Sequence, residues 1–159
     1  MTAEFSSCNT YRYVLTRKLE SPPRWVKPCL FIMLNPSTAD AFQDDPTIRR
    51  CIGFARREGC TDLTVVNLFA LRSTDPKKLF DHKEPIGPLN DQKICEQIEK
   101  HWMGLTVAAW GAHPMALERA ETLSRYDHIK CLGKTKNGSP SHPLYLKRDA
   151  VLVDLNPRS

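Results

Sequence analysis

Residues 29–51 read CLFIMLNPSTADAFQDDPTIRRC. Five consecutive apolar residues, Leu30 to Leu34, run straight into Asn35-Pro36-Ser37-Thr38-Ala39-Asp40. So short an apolar run, closed by a turn-forming Asn-Pro, is the pattern of a strand buried on both faces. Asp45-Pro46 then reads as a helix start, with Asp as N-cap and Pro at the first helical position, where its missing N–H costs nothing. In TIRRCIGFARREG, residues 47–59, Ile48, Cys51, Ile52 and Ala55 recur at helical spacing and Gly59 closes the helix. Strand, polar loop and helix make the first two parts of a βαβ unit.

The same rhythm continues outward. LTVVNLFAL (63–71), LTVAAWG (105–111) and HIKCLGK (128–134) read as strands. Helices are expected from near Asn90-Asp91 and within HPMALERAETLSRY (113–126), with a short capped turn in STDPKKLF (73–80). Upstream, YRYVLTRKL (11–19) alternates as an outer strand and SPPRWVKP (21–28) is a prolyl connection. AVLVDL (150–155) is apolar but too short to assign. The alternation predicts one α/β domain over residues 1–159, with 1–28 as outer strand and connection and 29–148 as core. Its central sheet should be mostly parallel, with helices on both faces.

Composition sets outer limits. The chain has 159 residues, 41% of them hydrophobic, and a formal charge of +5, which permits a polyanionic partner without requiring one. No basic-then-apolar leader pattern and no run of about 20 apolar residues is present, so a cytoplasmic protein without a membrane partner is expected. The six cysteines are scattered with no C-x-x-C, which predicts free core thiols and neither a metal site nor a cofactor.

In a parallel sheet ligands bind outside the carboxyl ends of the strands. Every strand exit here is polar or turn-forming: Asn35 to Asp40, Asn67, Gly111-Ala112-His113, then Asn137, Gly138, Ser139, Ser141 and His142. These segments should gather on one edge as a site built from four loops. Asn67 interrupts a hydrophobic strand. Its amide either ties down a neighbouring loop or reads a planar ligand edge. Asn35-Pro36 alone equally suits a plain strand-to-turn signal, His113 a helix-start residue, and His142 an exposed loop histidine. Between Asp127 and Asp149 no carboxylate occurs, while Lys130, Lys134, Lys136, Lys147 and Arg148 do, a candidate phosphate-contacting rim or a solvated basic loop. Arg49, Arg50, Arg56 and Arg57 read as a solvated helix face. Asp44 and Asp45 both suit capping, which leaves Asp44 as a second candidate for activating water.

MLNPSTAD, DDPTIRRC, VVNLFALRSTDP, PIGPLND and AAWGAHP together resemble a bacterial and phage family of unknown function that shares the L-N-P-S-T-A-D opening. The order of segments is also similar, more distantly, to the uracil-DNA glycosylase superfamily. MLNPS resembles its Asn-Pro strand ending, LTVVNLFALR its apolar run ending in Asn, VAAWG its L-L-W-G strand, and GSPSHPLYL its His-Pro-Ser-Pro-Leu-like loop. The resemblance implies a uracil-DNA glycosylase-like fold and hydrolysis of the N-glycosidic bond of uracil or a modified base in single- or double-stranded DNA. It implies that Asn35 positions water, with Asp40 as a carboxylate alternative, and that Asn67 selects the base. His142 or Ser139 would sit beside the base and Leu144 or Tyr145 would be the wedge. Pro36, Ser37, Phe69 and Ser141 would complete the base pocket, with Phe69 or Phe42 as stacking aromatic, while Lys134, Lys136, Lys147 and Arg148 would contact the DNA backbone. The departures are Met33-Leu34 where the superfamily has Gly, and two possible alignments of His-Pro, on Ser139-Pro140 or His142-Pro143. A nucleoside or nucleotide hydrolase or transferase on the same fold, and a catalytically silent nucleic-acid binder, are the competing readings. The P-C-x-x-C half of the zinc signature of base deaminases is absent.

Overall fold

The computed structural model describes residues 1–19 and 25–157. Residues 21–24 of the expected prolyl connection lie outside the described residues. One seven-stranded sheet is ordered β1-β2-β4-β3-β5-β6-β7, from β1 (Thr2–Phe5), β2 (Arg12–Lys18), β3 (Pro28–Met33), β4 (Asp62–Asn67), β5 (Leu105–Ala108), β6 (Lys130–Cys131) and β7 (Val153–Asp154). Three helices connect its centre: α1 (Pro46–Arg57), α2 (Asn90–Lys100) and α3 (Ala116–Glu121).

The sheet is mixed, which corrects the expectation of a mostly parallel one. β4, β3, β5 and β6 run parallel, but β1 on β2, β2 on β4 and β6 on β7 are antiparallel. The outer strand expected at residues 11–19 is β2, and it lies inside the sheet because β1 covers it through a tight turn carrying Asn9 at φ 58. The segment 150–155 supplies β7, an edge strand. β6 has two residues and α3 has six, both shorter than their apolar patterns suggested.

Helices do lie on both faces, and the strand alternation shows why. Cys29, Phe31 and Met33 face one core with Ile48, Cys51, Phe54 and Ala55 of α1. Leu30, Ile32 and Leu34 face the other with Ile94 and Ile98 of α2 and Ala116 of α3. Successive strand side chains point to opposite faces, so a strand covered on both sides must be apolar throughout.

α1 starts as the sequence indicates. Asp45 is its N-cap, accepting from the Ile48 N–H at 2.9 Å, and Pro46 opens the helix. Gly59 follows it at φ 74, the left-handed conformation that a helix C-terminus favours and glycine adopts without strain. Cys29, Cys51, Cys60 and Cys131 are buried thiols. Among the described residues no helix is long and apolar enough to cross a membrane.

Chain direction creates the site. From β3 the chain leaves toward β4, whereas from the neighbouring β5 it leaves toward β6. The two exits diverge, and a crevice opens between them at the carboxyl ends of the strands.

Candidate active site

That crevice is a cleft of about 540 Å³. The end of β3 contributes Asn35, Ser37 and Thr38, β4 contributes Asn67, the exit of β5 contributes Trp110 to His113, and the loop after β6 contributes His142, Leu144 and Tyr145. Ser73 and Thr74 line it from the loop after β4. All four parallel strand exits therefore meet in one cavity.

The two asparagines use their amides differently. Asn35 Nδ2 donates to the carbonyls of Pro36 at 3.1 Å, Ser73 at 3.0 Å and Leu71 at 3.4 Å, so it ties the β3 exit to the β4 exit. Its Oδ1 accepts no hydrogen bond among the described residues. Asn67 is 1% exposed and its Nδ2 has no partner among the described residues. The loop that Asn67 was one candidate to tie is held by others. Asn90 Nδ2 donates to the carbonyls of Asn67 at 2.8 Å and Leu68 at 3.1 Å, and Arg119 donates to the Leu68 carbonyl at 2.9 Å. A buried amide N–H without an acceptor is costly and uncommon.

His113 and His142 are built alike. Each Nδ1 accepts a backbone N–H two residues on, from Met115 at 3.2 Å and Leu144 at 3.2 Å. In a neutral imidazole with an accepting Nδ1, the proton resides on Nε2. Burial pushes the His142 pKa below its ordinary value, against a smaller opposing pull from the Asp45 carboxylate. His142 thus offers a neutral Nε2–H. His113 Nε2 is buried without a partner, and its ring stacks on Phe80 at 4.9 Å between centroids. The Gly111 N–H donates to the Pro140 carbonyl at 2.9 Å, joining the β5 exit to the His142 loop.

Several expected residues stand outside the lining. Asp40 Oδ1 accepts from the N–H groups of Phe42 and Gln43, both at 2.8 Å, and these bonds lower its pKa. Asp44 pairs with Arg17 Nε at 2.7 Å and neutralises a guanidinium that is 2% exposed. Phe69 is core, with Arg119 5.9 Å from its ring centroid, and Phe42 is 88% exposed. Pro36 and Ser139 are buried away from the cleft and Ser141 is half-buried behind it. Of the two His-Pro alignments, only His142-Pro143 brings its first residue to the cavity. Lys134 donates to the Leu155 carbonyl at 2.7 Å, while Lys136 and Lys147 are exposed and do not line the cleft.

Arg12 lines the cleft and was not anticipated. It is 2% exposed, donates from Nη1 to the Ala39 carbonyl at 2.7 Å, and has an unpartnered Nε. Burial lowers its pKa to about 10, partly offset by the nearby Asp45 carboxylate, so it stays cationic at neutral pH. It opens β2, whose sequence also carries Thr16, Arg17 and Lys18, so no local pattern sets Arg12 apart. Trp110, at the end of an apolar strand pattern, also lines the cleft. Asp45, read as a cap, also borders the cavity, with Oδ2 accepting from the Ala39 N–H at 3.3 Å. Among the described residues no group of three or more His, Cys, Asp or Glu is placed to hold a metal ion.

A family model described as "Protein of unknown function (DUF1643)" matches residues 12–144. The match runs from Arg12 to Leu144 and so spans every cleft residue named here except Tyr145. No curated protein and no solved structure matches the chain.

Proposed function

The chain belongs to this family, and on that premise we propose a DNA glycosylase-like hydrolase that breaks the N-glycosidic bond of uracil or a modified base, on a fold of the uracil-DNA glycosylase type. One observation carries the reading. A buried amide with an unpartnered N–H, Asn67, shares a cleft with a histidine held as an Nε2–H donor, His142. An amide presents a donor and an acceptor in one plane, as does the edge of a pyrimidine.

The reaction then divides among few groups. Asn67 would hydrogen-bond the extruded base edge. Asn35 Oδ1 accepts from a water beside C1′. The water oxygen bonds to C1′ as the C1′–N bond breaks, through an oxocarbenium-like state, and the bonding pair leaves with the base. The anion that develops on the base oxygen is met by the His142 Nε2–H. The departing base takes up the proton that the water releases, so hydroxyl-bearing sugar and neutral base result. Leu144, 41% exposed, and Tyr145, 86% exposed, stand at the mouth as wedge candidates.

Arg12 favours a second reading, a hydrolase or transferase acting on free nucleotides, because a buried cation in the cleft suits a substrate that carries its own anion there. One experiment separates the two. Labelled oligonucleotides carrying uracil, thymine opposite guanine or modified pyrimidines, single- and double-stranded, are incubated and treated with alkali, beside free nucleotides analysed for released base. Asn35→Ala is a poor control, since it also frees the Ser73 loop; His142→Asn is the better one. Alkali-labile sites that vanish in that variant support the glycosylase. Folded protein that releases base from nucleotides alone supports the second reading, and protein that binds DNA without any product is a silent binder.

A further inference from the structure

Beside the cleft lies a second hollow, of about 750 Å³, between α1 and the segment around Leu144 and Arg148. Pro46 and Leu144 border both, so the two adjoin at the start of α1. Half of its lining is arginine: Arg49, Arg50, Arg57 and Arg148. None of its lining residues is acidic.

These arginines are not the plain solvated helix face that their sequence suggests. Arg50 donates to the carbonyls of Pro143, at 3.3 Å from Nε, and Leu146. Arg57 Nη1 donates to the carbonyls of Arg148 at 2.9 Å and Ala150 at 2.5 Å. Their guanidinium carbons lie 5.2 and 5.1 Å from the Phe54 ring centroid. Carbonyl partners hold a guanidinium in place while leaving its charge uncancelled. Among the described residues Arg57 alone of the four has a carboxylate partner, Glu58 at 2.7 Å. Arg49 donates to the Asp44 carbonyl at 2.7 Å, and Arg148 is exposed with no ion pair among the described residues. Three uncancelled guanidinium forks thus flank an open groove, two of them, Arg49 and Arg50, held by carbonyls, an arrangement that suits the oxygens of phosphodiesters.

We propose that this groove carries the sugar–phosphate backbone of a DNA strand whose nucleotide enters the neighbouring cleft, with Leu144 at the junction. The proposal rests on the DNA reading above but places the grip on α1 and Arg148, with none of Lys134, Lys136 and Lys147 in the lining.

The test uses a fluorescent oligonucleotide with no cleavable base, its binding followed by anisotropy over a range of salt concentrations. Each phosphate contact contributes about 0.7–0.9 to the slope of log K against log salt. Arg49→Ala with Arg148→Ala, both exposed and neither in the cleft, should flatten the slope by about 1.4–1.8, while Lys136→Ala leaves it unchanged. A double variant with the parent slope overturns the groove. So does poly-glutamate that binds the parent as tightly as the oligonucleotide at equal salt, since the surface then takes any polyanion. The alkali assay judges the chemistry separately. Cleavage with an unchanged slope removes the groove and keeps the glycosylase, and a flattened slope without cleavage does the reverse.

Discussion

Asn35 and Asn67 sit on adjacent strand exits with the same side chain and opposite duties. Asn35 spends its N–H groups on three carbonyls, whereas Asn67 Nδ2 has none. Asn35→Ala should therefore lower stability by about 1–2 kcal/mol, read as a drop in Tm, and impair activity as well. Asn67→Ala removes a donor that was already unsatisfied. It should leave Tm near the parent value while base preference is lost. A large fall in Tm with preference intact would mean that Asn67 is structural. Asp44 invites the same separation. Asp44→Asn leaves Arg17 buried with only carbonyl partners, and should cost about 1–3 kcal/mol by chemical denaturation with little change in turnover. A collapsed rate in a stable Asp44→Asn protein would restore it as a water-activating group.

At the scale of elements, the parallel strands are held in register where the chain leaves them no room. Gly104 precedes β5, and a Cβ there would lie 2.1 Å from the Pro28 carbonyl oxygen and 2.8 Å from Pro28 Cγ, at the start of the neighbouring β3. Backbone cannot yield as a flexible side chain can. Gly104→Ala should cost about 2 kcal/mol or more, or prevent folding, although the site lies at the opposite ends of these strands. Gly53→Ala is the matched control, since nothing lies within 4 Å of its Cβ position and the helix gains about 0.5–1 kcal/mol from alanine. Measured Tm values of the two should move in opposite directions. α1 serves both cavities, because its cap Asp45 borders the cleft and its arginines border the groove.

Across the whole molecule, a buried histidine and a half-buried one link fold stability to pH. His101 is held below its ordinary pKa of 6.5 mainly by burial, partly opposed by its bond with the Gln97 carbonyl at 2.7 Å, and His142 is lowered mainly by burial. Both bind protons more weakly in the folded chain than in the unfolded one. Their contribution is full above the unfolded value of about 6.5 and is lost as pH falls through the folded values. Tm should decline as pH falls below 6.5, less steeply in His101→Gln. A parent Tm that rises on acidification through that window contradicts the assignment. Activity should decline on the same acid side, since protonating His142 Nδ1 removes the acceptor for the Leu144 N–H that shapes its loop.

Much of this was legible along the chain because its causes are local. The apolar run 30–34, the Asp45-Pro46 start and the Gly59 stop depend on neighbours a few residues away, and all three lie where the pattern puts them. So does the convergence of strand exits, which parallel direction alone imposes. β1 was missed because TAEF is half-exposed and carries almost no periodicity. The duties of particular side chains were decided by tertiary structure. Whether Asp44 faces water or Arg17, whether Phe69 faces a ligand or the core, and whether Arg12 lines a cavity depend on chain segments distant in the sequence. The sequence by itself determined an α/β sheet with polar exits on one edge, because periodicity and capping are short-range. Only the tertiary structure decided which polar groups are spent on backbone partners and which are left for a ligand, because hydrogen bonds across loops are made after the strands are in register.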